Sequence, residues 1–167
     1  SFIDSDDYIE TSDFYERLYK KAIETNADST KGLYKNSSDN TVFNEINNKI
    51  KENKNNFCST YCSAIFRSSL LINNNITFPE IIDMEDPVFA FEAALHANKI
   101  EIVEDLYIVI TQRDNSLTRR QLCFQQLKDK IKGMEILLHL ANSNSITPEV
   151  YSYCLLYTSP SPRDRTR

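Results

Sequence analysis

The chain has 167 residues, with 19 basic against 24 acidic side chains and a formal net charge of -5. No basic stripe interleaved with aromatics runs through it, so nucleic acid, which is gripped by clustered Lys and Arg through counterion release, is not an expected partner. No stretch nears the roughly 20 apolar residues of a membrane span.

The first informative feature is the run Phe2-Ile3 into Asp4-Ser5-Asp6-Asp7. It predicts a short apolar strand that delivers three carboxylates at its end. Such a cluster is costly unless a cation or solvent compensates it, and a divalent ion shared with a phosphorylated ligand fits the residue types. Ser12 and Asp13 then signal a helix start, with Phe14, Tyr15, Leu18, Tyr19, Ala22 and Ile23 at helical spacing. These aromatics read as core or interface.

A polar stretch from Asn36 to Asn40 leads to a second helical run through Val42, Phe43, Ile46 and Ile50, which fades into the Lys/Asn-rich segment from Asn44 to Asn56, a solvated face. Apolar residues recur from Phe57 to Leu71, with strand and helix both open around Tyr61. Asn73-Asn74-Asn75 reads as a turn and Ile76 to Phe78 as a short extended piece. The second acidic cluster, Asp83-Met84-Glu85-Asp86, precedes Pro87 and a helix with Val88, Phe91, Ala94 and Leu95. Asp86 as N-cap and Pro87 at the first helical position would start it. Two strands follow, Ile100 to Val103 and Leu106 to Ile110, on their β-branched content. Thr118 and Gln121 read as a capping box for a long helix through Leu127, Ile131, Met134 and Leu138, and Thr147-Pro148 opens another. His96 and His139 have no carboxylate or cysteine at ligand spacing and read as structural. The cysteines (Cys58 and Cys62 four apart, Cys123 alone, Cys154 near the end) form neither a disulfide framework nor a CxxC pair, so reduced thiols are expected.

Residues Ser1 to Asp28 resemble the segment around the DXD motif of family 2 glycosyltransferases. Downstream, Ala64 to Leu71, Ile76 to Glu80, Met84-Glu85-Asp86-Pro87-Val88-Phe89, Tyr107 and Arg113-Asp114-Asn115-Ser116 follow that family's usual succession. The resemblance covers most of residues 1 to 118. It implies an α/β fold, a partial GT-A (Rossmann-like) glycosyltransferase domain without the N-terminal nucleotide-binding half. It also implies inverting, metal-dependent transfer of a sugar from a nucleotide-diphosphate donor to a glycan or lipid-linked acceptor, in surface polysaccharide synthesis.

The same resemblance implies the site. Asp6 would hold Mn²⁺ or Mg²⁺ beneath the diphosphate, Asp4 would touch the ribose or a metal-bound water, and Asp7 would orient either neighbour or cap the turn. Asp86, with Glu85 beside it, is the expected general base; a capping role for Asp86 is compatible with that. At a helix start the dipole lowers its pKa while Glu85 and Asp83 raise it, so the net sign is open in sequence. Arg113 and Ser116 would lie near the diphosphate, Arg113 offering a fork to its oxygens unless it is simply a surface arginine. Gln112-Arg113 stand where many relatives carry a histidine metal ligand, so the resemblance does not extend to that further protein ligand. The implied location is cytoplasmic, at the inner face of the cell membrane by peripheral association.

The beginning of the chain, with no room before Phe2 for neighbouring strands, reads as an internal fragment of little activity and marginal stability by itself. Its other end changes composition abruptly from Cys154 to Arg167 and resembles a translated sequencing adaptor, excluded from the fold. Without that tail's three arginines and one aspartate the chain carries 16 basic against 23 acidic residues, about −7. The expected division is 1–118, catalytic; 119–153, helical extension; and 154–167, non-native tail. Two other classes stay in view: a non-catalytic sugar- or nucleotide-binding descendant, and a helical interaction module.

Overall fold

The computed structural model of the chain describes residues 1–43, 61–111 and 123–144. Among these residues the elements in order are β1 (Tyr8–Ile9), α1 (Phe14–Thr25), β2 (Ser29–Asn36), β3 (Val42–Phe43), β4 (Ala64–Phe66), α2 (Ser68–Asn73), α3 (Glu85–His96), β5 (Ile100–Ile110) and α4 (Phe124–Ser143). The strands make one mixed five-stranded sheet. Strand β5 lies between β1, antiparallel to it, and β2, parallel to it. The far edge of β2 carries two short antiparallel partners, β4 along Ser29 to Lys31 and β3 at Tyr34 and Lys35. The fold is therefore mixed α/β, and a purely helical module is set aside.

Strand β2 was not predicted, although it is the most buried strand of the sheet. Its sequence, STKGLYKN, is polar and lacks alternation because both faces are covered. The polar groups are met locally: the Ser29 hydroxyl donates to the Ile65 carbonyl and the buried Thr30 hydroxyl to the Leu18 carbonyl, each at 2.9 Å. Thr30 and Gly32 face α1, while Ser29 and Lys31 border a cavity against Ala90, Ala93 and Ala94 of α3. Helices α1 and α3 therefore cover opposite faces, as strand alternation requires. Gly32 is required by close approach, since a methyl group there would stand 2.7 Å from the Leu106 carbonyl oxygen and 3.0 Å from the Phe14 ring.

The two strands expected between Ile100 and Ile110 are one. The pairing shifts register between Lys31, opposite Ile102, and Leu33, opposite Tyr107, so that β5 bulges around Glu104-Asp105. A bulge bends a strand without ending it, and the two acids interrupt the apolar pattern there.

Helix α1 begins where Asp13 predicts, and buries Phe14 and Leu18 completely; Tyr19 and Ile23 are exposed, so its core face is narrower than expected. Asn26 closes it in the left-handed conformation, φ 51°, giving its N–H to the Ala22 and Ile23 carbonyls. Around Tyr61 the open choice resolves into a short strand, β4, followed by α2 and the expected turn at Asn74-Asn75. Ile76 to Phe78 is irregular, although Ile76 is buried.

Helix α4 is rotated from expectation. Its buried stripe is Asp129, Gly133, Leu137 and Ala141, while Leu127 and Ile131 are about half exposed. The stripe packs with Ile81, Met84, Val88, Phe91 and Ala94, so α4 shares a core with α3. Its observed capping box is Cys123 with Gln126, whose Oε1 accepts the Cys123 N–H at 3.0 Å. The helical run expected from Val42 is corrected at its start, where Val42 and Phe43 pair with β2 as strand β3; its continuation through Ile46 and Ile50, the expected box at Thr118 and Gln121, the helix at Thr147 and the 154–167 tail lie outside the described residues. Among those described, no helix is long and apolar enough to cross a membrane.

Candidate active site

Phe2-Ile3 forms no strand, which corrects the expectation for the chain start. An aromatic cluster holds this segment instead. Phe2 meets Tyr61, Phe78 and Phe89 edge to face at 5.1–5.6 Å between centroids, and Phe78 stacks on the buried Phe89 at 4.1 Å. Such geometry follows the ring quadrupoles and fixes Phe2 from three sides. Asp4, two residues on, is thereby delivered beside Tyr61, whose hydroxyl donates to Asp4 Oδ1 at 3.3 Å, while the Cys62 thiol lies 3.7 Å from Asp4 Oδ2. The chain then turns, the Asp7 N–H donating to the Asp4 carbonyl at 3.1 Å, and enters β1.

The second acidic cluster starts α3, but not as expected. Met84, not Asp86, is the N-cap, and it adopts the left-handed conformation at φ 78°. This conformation costs a residue with a side chain about 1–2 kcal/mol, offset by burial of Met84 in the α3–α4 core. Asp86 is the second helical residue and Pro87 the third, where a missing N–H still costs no helical bond. Asp86 is thus free of capping and its carboxyl is half-buried. Burial, then the neighbouring Glu85, then Asp4 raise its pKa from 3.8 to about 7, against the hydrogen bond with Tyr61, which lowers it. Sequence left the sign open because the helix dipole and the acids oppose; desolvation decides it.

The neighbours feel the same field. Burial raises Glu85, with Asp83 and Asp4 adding to it against a bond from its own backbone. Burial also pushes the Tyr61 hydroxyl and the Cys62 thiol well up, and Asp4 and Asp86 push both further. Asp4, Tyr61, Cys62, Glu85 and Asp86 are therefore one electrostatic group drawn from three distant parts of the sequence. Tyr61 and Cys62 were not singled out by sequence; a tyrosine and a cysteine in an unassigned segment carry no local signal.

Asp7 points elsewhere, its Oδ1 accepting the Thr111 N–H at 2.9 Å just beyond β5. Asp6 is partly buried in the turn between them. Arg113 and Ser116 lie outside the described residues. Among the described residues no three His, Cys, Asp or Glu side chains gather as a metal site, and His96 and His139 are both exposed on their helices.

A mixed sheet covered by α1 on one face and α3 on the other, with acids gathered where the chain enters β1 and α3, defines a mixed α/β domain. Among solved structures the chain is similar to S. aureus TarS 1–349 in complex with UDP-GlcNAc, with a TM-score of 0.63 at 22% identity over 82% of this chain and 42% of that one. It is similar also to S. aureus TarS (TM-score 0.62, 24% identity, 84% of this chain and 24% of that one) and to TarS 1–349 in complex with UDP (0.55, 22%, 81% and 45%). At these identities the likeness establishes the fold, and the chain spans less than half of each of these neighbours. No family model matches the chain, and no curated protein matches it.

Proposed function

We propose that the chain is part of an inverting glycosyltransferase of the family 2 type, transferring a sugar from a nucleotide-diphosphate donor to a glycan or lipid-linked acceptor. The observation that carries this reading is Asp86: a half-buried carboxyl with a pKa of about 7, facing Tyr61 and Asp4 at the mouth of a helix. That value suits a group that must accept a proton near neutral pH. The fold shared with TarS, which has been crystallised with UDP-GlcNAc and with UDP, supports a nucleotide-sugar donor.

In the proposed reaction Asp86 takes the proton of the acceptor hydroxyl as that oxygen attacks the anomeric carbon. The bond from that carbon to the donor diphosphate breaks, and the nucleoside diphosphate leaves with the electron pair. Glu85 supplies negative charge that keeps Asp86 basic. The single hydroxyl hydrogen of Tyr61, held by Asp4 Oδ1 in this structure, would turn to Asp86 once that carboxyl ionises.

The carboxylates suit a hard divalent ion, Mn²⁺ or Mg²⁺, held by one or two protein oxygens with the diphosphate completing its shell. Asp6 and Asp4 would hold it, and Asp7, already engaged by the Thr111 N–H, would fix the turn. Bound there, the ion would neutralise charge on the departing diphosphate. Arg113 and Ser116 would bind the same diphosphate. We assign 1–118 to the catalytic domain, 119–153 to a helical extension and 154–167 to a non-native tail, and the whole protein to the cytoplasmic face of a membrane by peripheral association.

The test is transfer of an isotope-labelled sugar by a longer protein that contains this chain, comparing Asp6→Ala and Asp86→Asn. Loss of turnover of about a hundredfold or more in each is expected, in line with removal of a general base. Unchanged turnover in either variant defeats the role given to that residue.

A further inference from the structure

Helix α4 touches the turn that leads into Asp86 in three chemically different ways. The buried Asp129 carboxylate accepts the Ile82 N–H on Oδ2 at 3.3 Å and the Gln125 Nε2 on Oδ1 at 3.0 Å. Lys130 Nζ lies 3.6 Å from Asp83 Oδ2. Gly133 is buried against Met84, and a methyl group at Gly133 would stand only 2.5 Å from the Met84 Cβ.

We propose that Asp129 and Gly133 are positioning residues, which hold the 81–86 turn and thereby aim the Asp86 carboxyl at Tyr61 and Asp4. Three successive residues of the turn, Ile82, Asp83 and Met84, are each engaged by α4. Met84 is in the left-handed conformation, which an L residue keeps only when its surroundings enforce it. The absence of a side chain at Gly133 lets the Met84 Cβ approach the helix, and Asp129 pins the amide two residues earlier. With both ends of this short arc fixed, the first helical turn of α3 has one orientation, and Asp86 lies in that turn. Release of Asp129, or added bulk at Gly133, lets Met84 relax and swings Asp86 away from its partners. A buried acid is costly unless hydrogen-bonded; Asp129 gives Oδ2 to the turn, while Gln125 of the same helix holds Oδ1 and so fixes the carboxylate's direction. The functional weight of the inference rests on Asp86 as the base; the structural link does not.

Two arms test it. At fixed pH, the carboxyl ¹³C shift of Asp86 and the exchange rate of the Ile82 amide are read by NMR in Asp129→Ala, Asp129→Asn and Gly133→Ala, with the exposed Lys132→Ala as control. Asp129→Ala is expected to speed Ile82 exchange at least tenfold and move the Asp86 signal. Asp129→Asn, which retains one acceptor oxygen, restores both in part, and Lys132→Ala moves neither. Gly133→Ala moves the Asp86 signal as well, and it decides the question where Asp129→Ala does not fold. An Asp86 signal that stays in place while Ile82 exchange quickens, or no change in either, overturns the proposal.

In the sugar-transferring protein, Gly133→Ala is expected to lower kcat about tenfold with an unchanged donor KM, and to have no further effect on an Asp86→Asn background. An equal loss on both backgrounds marks a structural role only and overturns the proposal. If the wild type transfers no sugar, the functional reading fails, and the NMR arm still decides the positioning claim.

Discussion

Asp86→Asn separates the two consequences of burying this carboxyl, because the change that removes the proposed base also removes a charge the fold holds at a cost. An acid raised from 3.8 in the unfolded chain to about 7 in the fold binds more protons folded than unfolded between those values, so stability falls as pH rises through that window. At pH 8 the cost reaches about 4 kcal/mol at most. The carboxyl remains partly open to solvent, and screening reduces this to about 1–2 kcal/mol. Asparagine never ionises, and its oxygen can still accept from Tyr61. The variant is therefore expected to be more stable than the wild type at pH 8 by about 1–2 kcal/mol, with the gap closing toward pH 4. Urea unfolding of both chains at pH 4.5, 6 and 8 measures the gap directly, since titrating groups outside the Asp86 cluster cancel in the difference. A gap of the same size at every pH, or a less stable variant at pH 8, refutes the reasoning. Greater stability together with lost turnover is the usual relation between a functional strain and the fold that bears it.

Tyr61→Phe removes the hydroxyl that steadies ionised Asp86, so the Asp86 ¹³C titration moves above about 7; an unchanged or lower midpoint contradicts this. Gly32→Ala forces a methyl group against the Leu106 carbonyl at 2.7 Å, an overpacking that costs about 1–3 kcal/mol in urea unfolding; a neutral result removes the close approach from the account. Phe89→Ala empties the ring site under Phe2, Phe78 and Tyr61, lowering stability by about 3–5 kcal/mol, and a loss below about 1 kcal/mol contradicts the anchoring role of this ring.

Much of the helical content was legible because the signals are local: Asp13 before Phe14, Asn74-Asn75 closing α2, and the apolar run after Pro87. Elements whose identity depends on neighbours were not. Strand β2 is polar yet buried because Thr30 and Ser29 bond to the backbone of α1 and β4, partners no short window contains. Phe2-Ile3 has the composition of a strand, but its ring contacts lie with Phe78 and Phe89, far along the chain.

In the candidate site, both acidic clusters and their convergence were expected, the first through Asp6; in the structure it is Asp4 whose charge reaches Glu85 and Asp86. The bridging Tyr61 and Cys62 carry no motif. Asp129 was not singled out in the sequence; the signal that could have found it is its four-residue spacing from Gly133, Leu137 and Ala141, the stripe that packs on α3. The cap was misplaced because Asp-Pro is a common helix start, whereas here the buried, left-handed Met84 begins the helix two residues earlier.

The most direct test of the central claim, that Asp86 is a base poised near neutrality, is the pH dependence of kcat/KM for sugar transfer by a protein containing this chain, measured from pH 5 to 8.5. A tenfold fall per pH unit below a midpoint near 7, abolished in Asp86→Asn, is the result predicted. A profile that is flat across this range, or the same acid limb retained at reduced amplitude in Asp86→Asn, contradicts it.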